Sequence, residues 1–179
     1  MNMRNQLLLT LTGQDRIGLV EKITSIILAH KGNVDASKMA HLGGEFAMLT
    51  LISVQDDQRN TLISALEKLR DDGFMVSTHQ TQTDSENKYK GWLPYRIEVN
   101  GADHEGIIHH ITRHLAGSGI NIETLDTSMV QAPMSGTPLF TMNAIIVAPP
   151  QMTFSVWKEK LDEVCDEMNV NCEVTPYRG

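Results

Sequence analysis

Thr12-Gly13-Gln14-Asp15-Arg16-Ile17-Gly18-Leu19-Val20 joins an apolar run, Leu7-Leu8-Leu9-Thr10-Leu11, to an amphipathic segment that ends near Lys31. The stretch reads as strand, tight turn and helix. Asp15 stands where an N-cap is expected, because its carboxylate can accept a bond from an N–H of the first helical turn. Gly18 then falls inside that turn, where glycine costs about 1 kcal/mol relative to alanine. Its missing Cβ suits a close approach of a ligand or neighbouring chain to the backbone. The unpaired N–H groups and the positive end of the helix dipole favour a carboxylate at that point. A plain strand-to-helix turn without a ligand accounts for a single copy equally well.

The stretch comes twice. Asn100-Gly101-Ala102-Asp103-His104-Glu105-Gly106-Ile107-Ile108 repeats it 88 residues later, with Gly13, Asp15 and Gly18 answered by Gly101, Asp103 and Gly106. Ile23-Thr24 is answered by Ile111-Thr112, and Asn33-Val34-Asp35 by Asn121-Ile122-Glu123, at the same offset. An internal repeat decides the domain count before any local reading. The 179 residues therefore divide into two domains, 1–82 and 92–179, with a linker at 83–91.

Hydrophobic content of 41% and charged content of 21% are ordinary for a folded soluble protein. Units of this size gain from packing against another copy, which predicts a homo-oligomer. A net charge of -7 with no Lys/Arg run argues against a direct grip on DNA or RNA, which needs a basic face. The two cysteines, Cys165 and Cys172, are too few for a disulfide framework and fit a reducing cytoplasm. Neither a signal-peptide core nor a membrane span is evident.

Along the chain, Leu7, Leu9 and Leu11 alternate as in a half-buried strand. Leu19, Val20, Ile23 and Ile27 form the stripe of a first helix, with Ile26 on its flank toward a neighbouring domain. Gly32-Asn33 ends that helix by tolerating left-handed backbone. A strand from Val34 to Leu42, a Gly43-Gly44 hairpin turn and a strand from Glu45 to Val54 follow. A helix over about Gln58–Asp72, stopped by Gly73, and a strand from Met75 to Thr81 complete the unit.

The second half repeats this order. Tyr95, Ile97 and Val99 replace the leucines, and Ile107, Ile108, Ile111 and Leu115 the first stripe. Phe140, Met142 and Ile146 answer Phe46, Met48 and Ile52 at an offset of 94, so the Gln131–Pro138 loop is longer than the first hairpin. Trp157, Leu161, Val164 and Met168 line the last helix, and Val170–Thr175 is the last strand. The result is an α+β fold of two ferredoxin-like βαββαβ units with antiparallel sheets.

Asp15-Arg16-Ile17-Gly18 and Asp103-His104-Glu105-Gly106, each followed by an Asn before the second strand, resemble the ACT domain, a small-molecule-binding module of amino-acid metabolism. The family commonly has Pro where this chain has Ile17 and Glu105. Ile17 is a mild departure, since Pro is tolerated rather than required in a first turn. Glu105 puts a negative charge where a carboxylate would bind, which makes the second site the weaker one. A chain of two ACT domains, with Met39-Ala40-His41-Leu42-Gly43-Gly44-Glu45-Phe46 at its first hairpin, is also similar to the glycine cleavage system repressor family. That resemblance implies a repressor that binds no DNA itself, holds a DNA-binding activator inactive and takes glycine as its signal.

The ACT resemblance implies a small amino acid held by a strand-to-helix turn of one module and the helix-end Asn of another. The residues it points to are Asp15, Arg16, Ile17, Gly18 and Leu19 with Asn33 and Val34. The second set is Asp103, His104, Glu105, Gly106 and Ile107 with Asn121 and Ile122. Backbone N–H groups at the helix start would take the carboxylate, and the Asn oxygen the ammonium. Capping of a helix by either Asn is the plainer alternative.

His104, His109, His110 and His114 lie at or on one helix, and His110 and His114 share a side of it. Without a third ligand or a His-Glu-x-x-His arrangement, no metal or cofactor is expected. His104 is the histidine placed to meet a ligand. Cys165 reads as a buried structural thiol. No nucleophile elbow, phosphate loop or catalytic carboxylate pair is present, and no enzyme activity is expected. A regulatory subunit of an amino-acid metabolic enzyme is the alternative to a transcriptional regulator.

Overall fold

The computed structural model describes residues 4–81, 88–131, 136 and 138–178. The chain divides into two compact units, Met1–Ser85 and Glu86–Gly179. The expected linker residues Thr83–Asn87 lie outside the described residues, as does most of the loop expected between Gln131 and Pro138.

In the first unit, β1 (Arg4–Gln14) leads into α1 (Leu19–Ala29), β2 (Asn33–Leu42) and β3 (Glu45–Gln55). Next come α2 (Asp56–Glu67), a 3-10 continuation over Lys68–Asp72, and β4 (Met75–Gln80). The sheet order is β2-β3-β1-β4, and β1–β3, β1–β4 and β2–β3 all pair antiparallel. Leu7, Leu9 and Leu11 are buried with Met48 and Ile52 against Leu19, Ile23 and Ile27 of α1 and Leu62 and Leu66 of α2. Both helices thus cover one face of the sheet. Gly43 (φ 61) and Gly44 (φ 86) form the two-residue hairpin, whose two left-handed positions select glycine.

The second unit repeats the plan with β5 (Leu93–Ala102), α3 (Ile107–Gly117), β6 (Asn121–Gln131), β7 (Pro138–Ala148), α4 (Phe154–Glu167) and β8 (Val170–Pro176). Its order is β6-β7-β5-β8, again antiparallel. Even an irregularity is duplicated. The register slips between Val34 and Ala36 and between Ile122 and Thr124, so Asp35 and Glu123 are the extra residues of matching β-bulges.

Several details differ from expectation. Val20 and Ile108 are 38% and 40% exposed, so neither belongs to its buried stripe. Ile26 packs on its own unit's core rather than being kept for a neighbour. The left-handed residue after α1 is Lys31 (φ 57), with neither Gly32 nor Asn33 in that region. Gly32 serves packing instead, because a Cβ there would lie 2.9 Å from Ile27 Cγ2. Cys165 is not a free thiol. It is buried at the end of α4 and joined in a disulfide to Cys172 of β8, with Cα atoms 6.2 Å apart.

Candidate functional site

The two strand-to-helix turns have the same backbone but a different construction from the one expected. Gly18 (φ 86, ψ 0) is itself the N-cap of α1, and Gly106 (φ 97, ψ −10) that of α3. Both are left-handed, which is the reason for glycine at each. Neither helix has a side-chain cap bond. The first helical bonds are Lys22 N–H to Gly18 O and His110 N–H to Gly106 O, both 2.9 Å. The Leu19 N–H of α1 is already bonded to Arg16 O at 3.2 Å, so the N–H groups that α1 offers at its start are those of Val20 and Glu21.

Asp15 is therefore not the cap. A cap accepts from the second or third helical N–H, and the left-handed Gly18 delays the helix until Leu19. The Asp15 carboxylate turns instead to the hairpin side, 3.1 Å from His41 Nε2. Arg16 lies over the Phe74 ring, 5.2 Å from its centroid. Ile17 is fully exposed at the tip of the turn. Lys22 pairs with Asp72 at 2.8 Å. Arg16, Ile17, Gly18 and Leu19 thus border, with Lys22, Asp72 and Phe74, a depression of about 130 Å³.

Asn33 and Val34 open elsewhere, into a depression of about 330 Å³ that they share with Thr24, Ser25, Ile27, Leu28 and Gly32. The Asn33 amide donates to Asp35 Oδ1 at 2.9 Å, and Ser53 Oγ donates to the same oxygen at 3.0 Å. The bulge therefore places Asp35 where it braces the Asn33 side chain through its amide nitrogen. The two depressions have no lining residue in common. Within the unit, the turn residues and the Asn residues form two half-sites rather than one cavity.

In the second unit His104 takes the place of Arg16. Its Nε2 is 2.6 Å from Met168 O and its Nδ1 is 3.1 Å from Glu105 O. A neutral imidazole can donate only once, so the imidazolium suits both acceptors. The bonds to Met168 and Glu105, with the charge of Asp103 adding a little, raise the His104 pKa above its ordinary value. Ile122 packs on the core, and Asn121 is half-buried. Where the first unit has Gly32, the second has the buried Ile120. A Cβ on Gly106 would meet His110 at 3.3 Å, whereas one on Gly18 would meet nothing.

Two of the other α3 histidines are also engaged. His114 Nε2 is 3.3 Å from Trp157 O, and His110 Nδ1 is 3.3 Å from an Arg113 nitrogen. Among the described residues no group of three His, Cys, Asp or Glu could hold a metal, and no helix is long and apolar enough to cross a membrane. Sequence reading missed Phe74, Asp72 and Met168, which complete the turns from the far end of each unit. The one available signal was the glycine at the end of β1 and β5. A Cβ on Gly13 would come 2.6 Å from Phe74 Cδ1, and one on Gly101 2.6 Å from Val170 Cγ1.

The family model of the ACT domain matches residues 5–78. That match spans most of the first unit, whose topology is of the ACT type. The second repeats its topology, register and bulge, so the chain carries two ACT-type units of the ferredoxin-like fold. ACT domains are regulatory modules.

The chain is similar to an unknown protein from Galdieria sulphuraria, whose crystal structure aligns with a TM-score of 0.83 at 29% identity over 98% of this chain and 100% of that one. It is also similar to a protein assigned as a glycine cleavage system transcriptional repressor, with a TM-score of 0.69 and 17% identity over 99% of both chains. At that identity the likeness shows a shared tandem-ACT fold. No curated protein sequence matches this chain.

Proposed function

We propose that the protein is a cytoplasmic amino-acid-sensing regulator that acts through a protein partner and neither catalyses a reaction nor contacts nucleic acid. The observation that carries this reading is the repeated uncapped helix start behind a left-handed glycine, at Gly18 and Gly106. Exposed N–H groups at the positive end of a helix dipole suit an α-carboxylate. The braced Asn33 supplies an oxygen for the ammonium, with Asp35 adding negative charge behind it.

Because the turn and the Asn residue open into different depressions, a ligand that touches both takes one set from a second copy of the unit. Homo-oligomerisation supplies it. Asp15, Arg16, Ile17, Gly18, Leu19, Asn33 and Val34 form the stronger set. Asp103, His104, Glu105, Gly106, Ile107, Asn121 and Ile122 form the weaker one, since Glu105 opposes a carboxylate and both His104 ring nitrogens are engaged. Glycine is the leading ligand and a DNA-binding activator the leading partner, in line with the tandem-ACT repressor fold. The charge of -7 supports contact with a protein rather than with DNA.

A thermal-shift screen against the common amino acids tests the ligand. A small amino acid should raise the melting temperature, because at about 100 times Kd a ligand adds about 2.7 kcal/mol. Affinity capture tests the partner. Recovery of a transcriptional activator supports the reading, and recovery of a metabolic enzyme favours a regulatory subunit instead.

A further inference from the structure

The Cys165–Cys172 bond closes a short loop from the end of α4 into β8. Inside that loop lie Met168 and Val170, the residues that hold the β5–α3 turn. The Met168 carbonyl accepts from His104 Nε2 at 2.6 Å. Met168 Cε would stand 3.7 Å from a Cβ on Gly106, and Val170 packs directly on Gly101.

The first unit builds the same corner without sulfur. Register puts Val76 opposite Leu11 and Cys172 opposite Val99, the matching position. Leu69 precedes Val76 by seven residues, as Cys165 precedes Cys172. Leu69 and Val76 are both buried. An aliphatic pair therefore closes this corner of the fold in one unit, and reduced cysteines pack as small hydrophobes in the same way. The core does not need the covalent bond. Cys165 is buried and Cys172 half-buried, so Cys172 is the half of the bond nearer to solvent.

We propose that Cys165 and Cys172 form a reversible dithiol–disulfide switch that sets the order of the 103–106 turn in the second unit. A small-molecule thiolate attacks the Cys172 sulfur, and Cys165 leaves as a thiolate and takes up a proton. A second thiolate attacks the mixed disulfide at its outer sulfur and releases Cys172, which is protonated in turn. Two electrons and two protons pass to the protein, and the small thiol leaves as its own disulfide. With the bond intact, Met168 is held as the acceptor for His104. With the bond open, the 165–172 loop is free to move and the turn loses its fixed partner. The inference concerns the order of the turn itself, so it stands whether or not an amino acid binds there.

The test uses the full chain in glutathione buffers of graded redox ratio, with thiols trapped by alkylation and counted by mass spectrometry. Hydrogen–deuterium exchange over residues 101–107 is read in parallel. The expected result is a single two-electron titration within the glutathione range. Exchange at 102–106 should rise several-fold on reduction, with residues 14–18 of the first unit unchanged as the internal reference. Cys165→Leu with Cys172→Val copies the first unit, and its exchange should ignore glutathione. A bond that opens only on unfolding, a turn that exchanges equally in both redox states, or a double variant that still responds would each overturn the proposal.

Discussion

Asp15 and His41 meet across 3.1 Å and tie the β1–α1 turn to the β2–β3 hairpin. The pair is exposed, so it contributes at most about 1 kcal/mol. Its importance is positional, since it draws Asp15 away from the helix start and leaves the first turn of α1 open. Asp15→Ala should therefore lower stability by less than about 1 kcal/mol. Amide exchange should quicken at residues 41–46 and stay unchanged at 19–23. Faster exchange in α1 would restore Asp15 to a capping role.

Gly18→Ala separates backbone conformation from helix propensity. In an ordinary first turn alanine would stabilise by up to about 1 kcal/mol. At φ 86 it should instead destabilise by about 1 kcal/mol, although its Cβ would meet open space. Gly18→Asn should cost less, because Asn tolerates left-handed backbone. Urea denaturation of the three proteins gives the order.

His104 makes the stability of the second unit depend on pH. Its pKa is raised in the folded protein above the ordinary 6.5, chiefly by its bond to the Met168 carbonyl. A raised histidine pKa stabilises fully below the unfolded value, and that contribution fades as pH rises through the folded value. Wild type should thus lose more stability than His104→Ala between pH 5.5 and pH 8.5. Equal losses in the two proteins would remove His104 from the account.

Thr50 is fully buried on β3, and its hydroxyl has no hydrogen-bond partner among the described residues. The matching position in the second unit is Ala144, opposite Ile97 as Thr50 is opposite Leu9. Leaving a buried hydroxyl unsatisfied costs about 1–3 kcal/mol. Thr50→Val keeps the shape without the hydroxyl and should stabilise by about 1 kcal/mol or more. The urea midpoint should rise with an unchanged slope.

Asp35→Ala tests the brace behind Asn33. Its bond to Asn33 is exposed, but its bond to Ser53 satisfies a buried hydroxyl, so stability should fall by about 1–3 kcal/mol. Binding of the amino acid found in the thermal-shift screen should weaken about tenfold, by the loss of one positioned hydrogen bond. Unchanged affinity would remove the Asn33 half-site from the ligand's contacts.

The order of elements was readable because burial on one face imposes its own period, and the repeat let each half check the other. Leu7, Leu9 and Leu11 announced β1 by alternation alone, and Gly43-Gly44 announced its hairpin by the dihedrals it needs. The same reasoning mistook Val20 and Ile108 for core, since a helix that starts at Leu19 turns its second residue outward whatever its chemistry. Gly18 stands out in the sequence as a glycine at a helix start, but its left-handed φ of 86 and its place before the helix are visible only in the structure. A glycine that precedes a helix and one inside its first turn look alike until the dihedrals are known. The Asp35 bulge, the Arg16–Phe74 contact and the Cys165–Cys172 bond depend on register or on residues far along the chain, and no local pattern carries them.

The antiparallel pairing of β1 with β4, and of β5 with β8, has a consequence for how such a chain could arise. Thr81 N–H bonds to Gln6 O at 3.2 Å, and Tyr177 N–H to Pro94 O at 3.0 Å. Each unit therefore has its entrance and exit side by side. A gene segment encoding one unit can be copied head to tail with only a short connector, and neither copy need rebuild its sheet to admit the other. Once duplicated, the copies are free to differ at their corners, where one has Leu69 and Val76 and the other Cys165 and Cys172.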